Sequence, residues 1–254
     1  MTAPAQPRQR LDVALVERGL CRSRAQAQRL LLAGRVQVNQ QPATKPGALV
    51  RPGDRIELQS EEPYVSRGGL KLEHGLQVFG LAVRGCTALD LGAATGGFTD
   101  CLLQAGAAQV YAVDVGYGQL AWKLRQDPRV VVMERTNARY LGPDSFPSPF
   151  QPVDVVVIDC SFISLRKILP RAVALLRPAG KIVALIKPQF EAGKADADKG
   201  RGVIADPAVH QRVLDELRLF VESLPKLRWL KLTESPLRGP AGNKEFLVLL
   251  EKAG

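Results

Sequence analysis

The chain is poor in the residues that build metal centres and disulfide frameworks. Its 254 residues hold two histidines, His74 and His210, and four cysteines, Cys21, Cys86, Cys101 and Cys160, with no CxxC pair. So sparse a set gives no reason to expect a metal site, and four scattered thiols read as reduced side chains in a cytoplasmic protein. No run approaches the roughly 18 consecutive apolar residues of a spanning helix. The opening MTAPAQPRQR lacks the apolar core of a secretory signal. Stable membrane association is therefore not expected.

What is present is ordinary globular composition, 46% hydrophobic and 24% charged, enough for a sizeable core. The charge is uneven. Lys+Arg number 35 against 25 Asp+Glu, a net +10; residues 1–60 hold 10 basic and 4 acidic side chains, so +6 of that excess lies in the first quarter. A compact basic end points to a polyanion, either nucleic acid or an acidic membrane.

Composition separates a polar tail (1–9), a small basic unit (10–60), a short linker (61–66) opening with Glu61-Glu62-Pro63, and a longer unit (67–254). In the basic unit Leu11, Ala14, Leu15 and Arg18 recur at helical spacing up to Gly19. Ser23 stands as N-cap of a second helix, with Gln26 three residues on, and Gly34 ends it. Val36 and Val38 alternate as a strand, Asn39 to Pro42 turns, and PGDRIEL is a further strand.

The order Leu11-Asp12, Gly19-Leu20, Ser23-Arg24, Ala27, Gly34, Val36, Val38-Asn39, Lys45-Pro46 and Asp54 resembles the S4 RNA-binding domain across nearly all of 10–58. The resemblance implies a helix lying against structured RNA. Arg10, Arg22, Ser23, Arg24, Arg29, Arg35 and Lys45, with Arg67 beyond the linker, are then the RNA-contacting residues. Guanidinium and ammonium groups on phosphates set position, while shape sets selectivity. For any single arginine, a solvated helix face remains the plainer reading.

The longer unit alternates strands (87–92, 109–116, 130–135, 153–160, 181–187, 228–235, 244–252) with amphipathic helices (96–106, 119–127, 163–176, 207–224). Continuous Val/Ile runs between helices predict an α/β fold, a mostly parallel seven-stranded sheet covered on both faces. The last two strands lack a helix between them and should pair as a hairpin that adds an antiparallel strand.

The first strand runs into Asp90, Gly92, Ala93, Thr95, Gly96, Gly97, Phe98 and Thr99, and the second ends at Asp114. A glycine turn at a strand's carboxyl edge, with an acid at the next strand end to accept from ribose hydroxyls, is a nucleotide-cofactor site. It has neither the G-x-G-x-x-G spacing of NAD folds nor a P-loop lysine. It looks like the S-adenosylmethionine turn of Rossmann-like methyltransferases; a tight βα turn without ligand is the alternative.

Four more polar residues stand where an apolar fold has no need of them. Asp159 and Lys187 end parallel strands. Glu245 opens a strand expected to run antiparallel, which places it at the same edge. Lys71 lies on the amphipathic segment before the first strand. Lys71, Asp159, Lys187 and Glu245 follow the Lys–Asp–Lys–Glu order of FtsJ-type 2′-O-ribose methyltransferases. The words SRGGLKL, LDLGAATGGFTD, DCSFISL, IKPQFEAG, KGRGVIADPAVH and GNKEFL, with the S4 unit, resemble the TlyA (hemolysin A) family over residues 10–251. That resemblance implies methylation of cytidine 2′-hydroxyls in ribosomal RNA (16S, 23S or both), S-adenosylmethionine as cofactor, ribosomal subunits as partners and those four residues as the catalytic set. Lys187 is the candidate base, or else it orients the hydroxyl. Where the actinobacterial branch has Arg-x-Trp-Val, this chain reads Glu62-Pro63-Tyr64-Val65.

Cys160 reads as a packed thiol, because the Pro-Cys context of C5-methyltransferases is absent. Phe98, Phe162 and Phe190 are stacking candidates or core. His74 and His210 are expected on helix surfaces, and 193–202 as a charged loop. Two other classes stay open at this point, a non-catalytic ribosome-assembly factor and a membrane-active hemolysin.

Overall fold

A computed structural model describes residues 8–59, 62–193, 196, 200 and 202–254. The charged 193–202 segment therefore falls largely outside the described residues. Contacts divide the chain into two compact units, Met1–Glu61 and Glu62–Gly254.

The first unit comprises β1 (Gln9–Arg10), α1 (Leu11–Glu17), α2 (Arg24–Leu32), β2 (Val36–Val38), β3 (Gln41–Pro42), β4 (Leu49–Val50) and β5 (Ile56–Leu58). The strands form a three-stranded sheet, β3-β2-β5, and a pair, β1-β4. Helical spacing puts Leu11, Leu15, Ala27 and Leu31 into one core with Val36, Val50 and Ile56. Ser23 Oγ caps α2 by accepting from Gln26 N at 3.2 Å. Gln26 Oε1 reaches back to Arg22 N (2.9 Å), one residue earlier than a reciprocal capping box requires. Asn39 and Gln40 both take positive φ (53° and 66°), the two-residue turn that joins β2 to β3.

The second unit comprises α3 (Gly68–Phe79), β6 (Thr87–Leu91), α4 (Gly97–Gln104), β7 (Gln109–Val113), α5 (Trp122–Arg125), β8 (Val130–Met133), β9 (Val153–Ile158), α6 (Leu169–Leu175), β10 (Leu176–Ile186), α7 (Pro188–Glu191), α8 (Pro207–Ser223), β11 (Leu227–Glu234) and β12 (Phe246–Lys252). Its seven-stranded sheet has the order β11-β12-β10-β9-β6-β7-β8. The strands β6 to β10 pair parallel, and β12 runs antiparallel to both its neighbours. The period of two sends Leu89, Leu91, Val156, Ile158, Ile182 and Ala184 into one core with α6 and α8. Their neighbours Ala88, Val155, Val157 and Val183 pack into a second with α3 and α4. Each fully buried Leu or Ile contributes about 1.5–3 kcal/mol. This two-sided burial explains why the strands read as continuous apolar runs.

Three local expectations change. The helix expected over 119–127 shrinks to α5, because Ala121 is extended and gives its amide to Thr95 O (3.1 Å). The helix expected over 163–176 becomes a 3-10 turn, Leu165–Lys167, followed by α6, because Phe162 takes a left-handed φ of 63° and Ser164 caps the turn. His210 is buried rather than on the helix surface. Asp206 caps α8, which sets His210 on the same face as Val213, Leu214, Leu217 and Val221. Its Nε2 lies 2.9 Å from Ile204 O, and its ring stands edge-on to Phe246.

Tyr64, from the segment expected as linker, packs into the core of the second unit. Val65 N donates to Asp100 Oδ2 (2.8 Å), and Gln104 Nε2 donates to Pro63 O (2.7 Å). Among the described residues no helix is long and apolar enough to cross a membrane.

Candidate active site

At the end of β6 the chain turns through Gly92 (φ 89°), Ala94 (φ 48°) and Gly96 (φ 96°). Space as well as φ dictates the glycines. A Cβ on Gly92 would stand 2.8 Å from Asp159 O, and one on Gly96 would stand 2.2 Å from a Leu124 methyl. Asp114, at the end of β7, accepts from Ala94 N (Oδ2, 2.8 Å) and from Gly116 N (Oδ1, 2.7 Å). A carboxylate oxygen with one donor can accept another, and Asp114 lines a neighbouring cavity.

Beneath the turn Asp90 is fully buried. Its Oδ2 accepts from Thr99 Oγ1 (2.7 Å), while its Oδ1 has no partner among the described residues. Burial pushes the carboxyl up to about 7. The Thr99 hydrogen bond pulls it down, and repulsion from Asp159 and Asp114 adds to the rise.

Parallel pairing carries Asp159 and Lys187 to one edge. Across the antiparallel pair Ile186 faces Phe246, so the residues just beyond them, Lys187 and Glu245, are neighbours. Two ion pairs result. Lys71 Nζ, from α3, bonds Glu245 Oε2 at 2.6 Å. Lys187 Nζ lies 2.6 Å from Asp159 Oδ1, an ionic contact rather than a directed hydrogen bond, and donates to Ser161 Oγ at 2.9 Å. Lys71, Lys187 and Glu245 are buried. All four line one cavity of about 280 Å³, together with Ser66, Arg67 and Arg238.

A second cavity, of about 490 Å³, opens along the ends of β6, β7 and β9. Asp114 and Asn137 stand on its wall among Val113, Val115, Ile163 and Ile168. Gly92, Ala94, Asp159 and Ser161 line both cavities. An apolar chamber with the Asp114 carboxylate at a strand end fits the adenosine of S-adenosylmethionine. Phe162 is 90% exposed at the mouth of the second cavity, with its ring 5.1 Å from that of Phe190.

Of the residues singled out in the turn, Gly92, Ala93, Thr95, Gly97 and Phe98 line the first cavity, while Asp90, Gly96 and Thr99 lie outside both cavities. The thiol of Cys160 is pushed up to about 12 by burial and by Asp159, so it stays protonated. Its Sγ donates to Leu91 O (3.4 Å), as a packed thiol does. Ser161 and Arg238 escaped the sequence reading. Ser161 sat inside a motif word between more eye-catching neighbours, and Arg238 reaches the cavity only because β12 turns back beside β10.

In the first unit Asp12 is fully buried and gathers Arg10 (Nε 3.0 Å, Nη2 3.1 Å), Arg24 Nη2 (3.0 Å) and Gln28 Nε2 (3.1 Å). The Arg10 guanidinium holds the Asp12 carboxyl well below the usual carboxylate range. Arg10 and Arg24 remain half exposed. Arg22, Arg29 and Lys45 are exposed, and Arg35 Nη2 reaches Gln59 O at 3.3 Å. Ser23, expected on RNA, spends its hydroxyl on the helix cap.

A mostly parallel seven-stranded sheet with one antiparallel strand, a glycine turn after the first of its strands in chain order and an acid ending the next is the Rossmann-like methyltransferase arrangement. Residues 64–252 match the FtsJ-like methyltransferases and residues 9–56 match the S4 domain. The chain belongs to the FtsJ-like methyltransferase family, with an S4 domain at its amino-terminal side. It is 47% identical over 247 residues to the 16S/23S rRNA (cytidine-2′-O)-methyltransferase TlyA of Mycobacterium tuberculosis, covering 96% of this chain and 90% of that one. It is 41% identical to Hemolysin A of Brachyspira hyodysenteriae, covering 94% and 98%. A solved structure described as a hemolysin from Streptococcus thermophilus superposes with a TM-score of 0.73 at 45% identity, covering 98% and 90%.

Proposed function

We propose that the chain transfers a methyl group from S-adenosylmethionine to the 2′-hydroxyl of cytidine in ribosomal RNA (16S, 23S or both), in the cytoplasm, with the S4 unit holding the subunit. One observation carries this reading: two ion pairs stand in a polar cavity that shares the wall Gly92, Ala94, Asp159 and Ser161 with a nucleoside-sized, largely apolar one.

The cofactor, when bound, supplies a methyl already activated on a sulfonium. The chain's own task is alignment. Asp114 accepts from the cofactor's ribose hydroxyls, and Gly92 to Phe98 form the floor. Lys71 and Glu245 neutralise each other and fix one side of the polar cavity. Ser161 accepts one N–H of Lys187, and the Asp159 carboxylate stands beside the same Nζ, so the amine is held in place. An N–H not given to Ser161 can hold the 2′-oxygen, so Lys187 is read as the orienting group; as the oxygen–methyl bond forms and the sulfur–methyl bond breaks, the hydroxyl proton leaves to solvent. An activity that climbs tenfold per pH unit above neutrality would return it to the role of base. Arg10, Arg22, Arg24, Arg29, Arg35, Lys45 and Arg67 supply phosphate contacts.

Labelled methyl transfer to unmodified ribosomal subunits, with Lys187→Ala alongside, tests the reading. The expected result is 2′-O label from the native protein and none from the variant. Binding of subunits without any label from either would leave a non-catalytic assembly factor.

A further inference from the structure

Two chain segments meet beside the catalytic set: 159–165, which leaves β9, and 187–191, which leaves β10. Lys187 ties them at one end through Asp159 and Ser161. Glu191 ties them at the other. Its Oε2 accepts from Ser164 Oγ at 2.6 Å, and its Oε1 accepts from Leu165 N at 2.7 Å. Between these ties sits Phe162, with φ of 63°, a conformation a bulky residue holds only under restraint. The Phe190 ring backs it. Leu165 and Ile168 anchor the far side of the loop in the core.

Glu191 is only partly exposed, and burial raises its carboxyl above the ordinary value against the pull of Ser164 and the Leu165 amide. A desolvated acid with both oxygens engaged on one loop is a clamp. Ser161, the residue it fixes indirectly, lines both cavities and takes a hydrogen bond from Lys187.

We propose that Glu191 is a positioning residue for methyl transfer: by clamping Ser164 and Leu165 it holds the strained Phe162 turn, and so keeps Ser161 against Lys187. The proposal rests on the methyl-transfer reading above. Released from Glu191, the turn relaxes toward negative φ, Ser161 leaves Lys187, and the lysine loses a fixed direction toward the reacting oxygen.

The test uses the full-length protein with S-adenosylmethionine and unmodified ribosomal subunits. Glu191→Ala is expected to lower kcat by about 10- to 100-fold, the scale of a misplacement of about 1 Å. Cofactor Kd and subunit KM should stay within about threefold, and amide exchange over 161–167 should quicken. Glu191→Gln, which can still accept from Leu165 N and bond Ser164, should restore most of kcat; Ser164→Ala should fall between the two. An unchanged kcat in Glu191→Ala, a Gln variant as poor as the Ala variant, or a loss of cofactor affinity matching the loss of kcat would overturn the proposal. If the native protein labels nothing, the methyl-transfer reading falls and takes the catalytic role of Glu191 with it; native-like exchange over 161–167 in Glu191→Ala then removes the clamp as well.

Discussion

Both units bury an aspartate completely, and the two carboxyls move in opposite directions. Asp12 in the S4 unit is covered by its own partners, two guanidiniums and an amide, and is held below the usual range. Asp90 in the methyltransferase unit lies under the cofactor turn with one hydroxyl for company, and is pushed up to about 7. Burial alone therefore does not decide ionisation; the donors that accompany it do. The difference follows the two tasks. Asp12 fixes two half-exposed guanidiniums, which are proposed to meet phosphate. Asp90 lies beneath a turn proposed to receive the cofactor.

Glu245 is a third buried carboxylate, and its partner is one lysine. Glu245→Ala strands Lys71 and should cost about 3–5 kcal/mol in urea unfolding, along with methyl transfer. A loss below about 1 kcal/mol would show that the pair is solvated and the comparison too sharp.

Asp90 should give the next largest effect. Its unfolded carboxyl titrates near 3.8 and its folded one near 7. The folded state therefore binds the extra proton, and stability falls as pH rises between these values and then levels off. Asp90→Asn should remove that slope, gaining on the native protein by on the order of 2–4 kcal/mol between pH 4 and pH 8. Parallel curves for the two proteins would sink the assignment.

For the opposite pole, Arg10→Ala with Arg24→Ala should weaken subunit binding about 10- to 100-fold and lower the salt slope by about 2, with kcat at saturation kept. Unaltered salt dependence would mean these guanidiniums serve Asp12 and nothing else. Smallest is Asp12→Asn. Its depressed carboxyl stabilises above the unfolded value of 3.8, and that contribution is lost as pH falls through and below it. The variant should lose about 1 kcal/mol at neutral pH, after allowance for solvent reaching the half-exposed arginines, and nothing further in acid. Equal acid sensitivity in both proteins would place the effect elsewhere.

Much of this was legible in the residues. Continuous Val/Ile runs announced a sheet covered on both faces, and strand direction brought Asp159, Lys187 and Glu245 to one edge before any distance was known. The glycines of the turn were visible as glycines, but not that Gly92 is required by the carbonyl of Asp159. Partnerships over long separations were not legible. Glu191 and Ser164 sit in different motif words, and Asp12 reads as an ordinary first-turn acid until Arg24 folds over it. His210 was misread although its spacing to Val213, Leu214, Leu217 and Val221 marks one helix face. A polar residue on an apolar stripe is easily assigned to solvent when its backbone partner, Ile204 O, lies in a loop.

The place of β12 has a consequence for the order of synthesis. It is the last strand of the sheet in chain order, yet it fills the gap between β10 and β11 and delivers Glu245 to Lys71, 174 residues earlier. A nascent chain can complete its S4 fold while most of the sheet is still unmade. It cannot assemble the Lys71–Glu245 pair until that final strand has been translated and inserted.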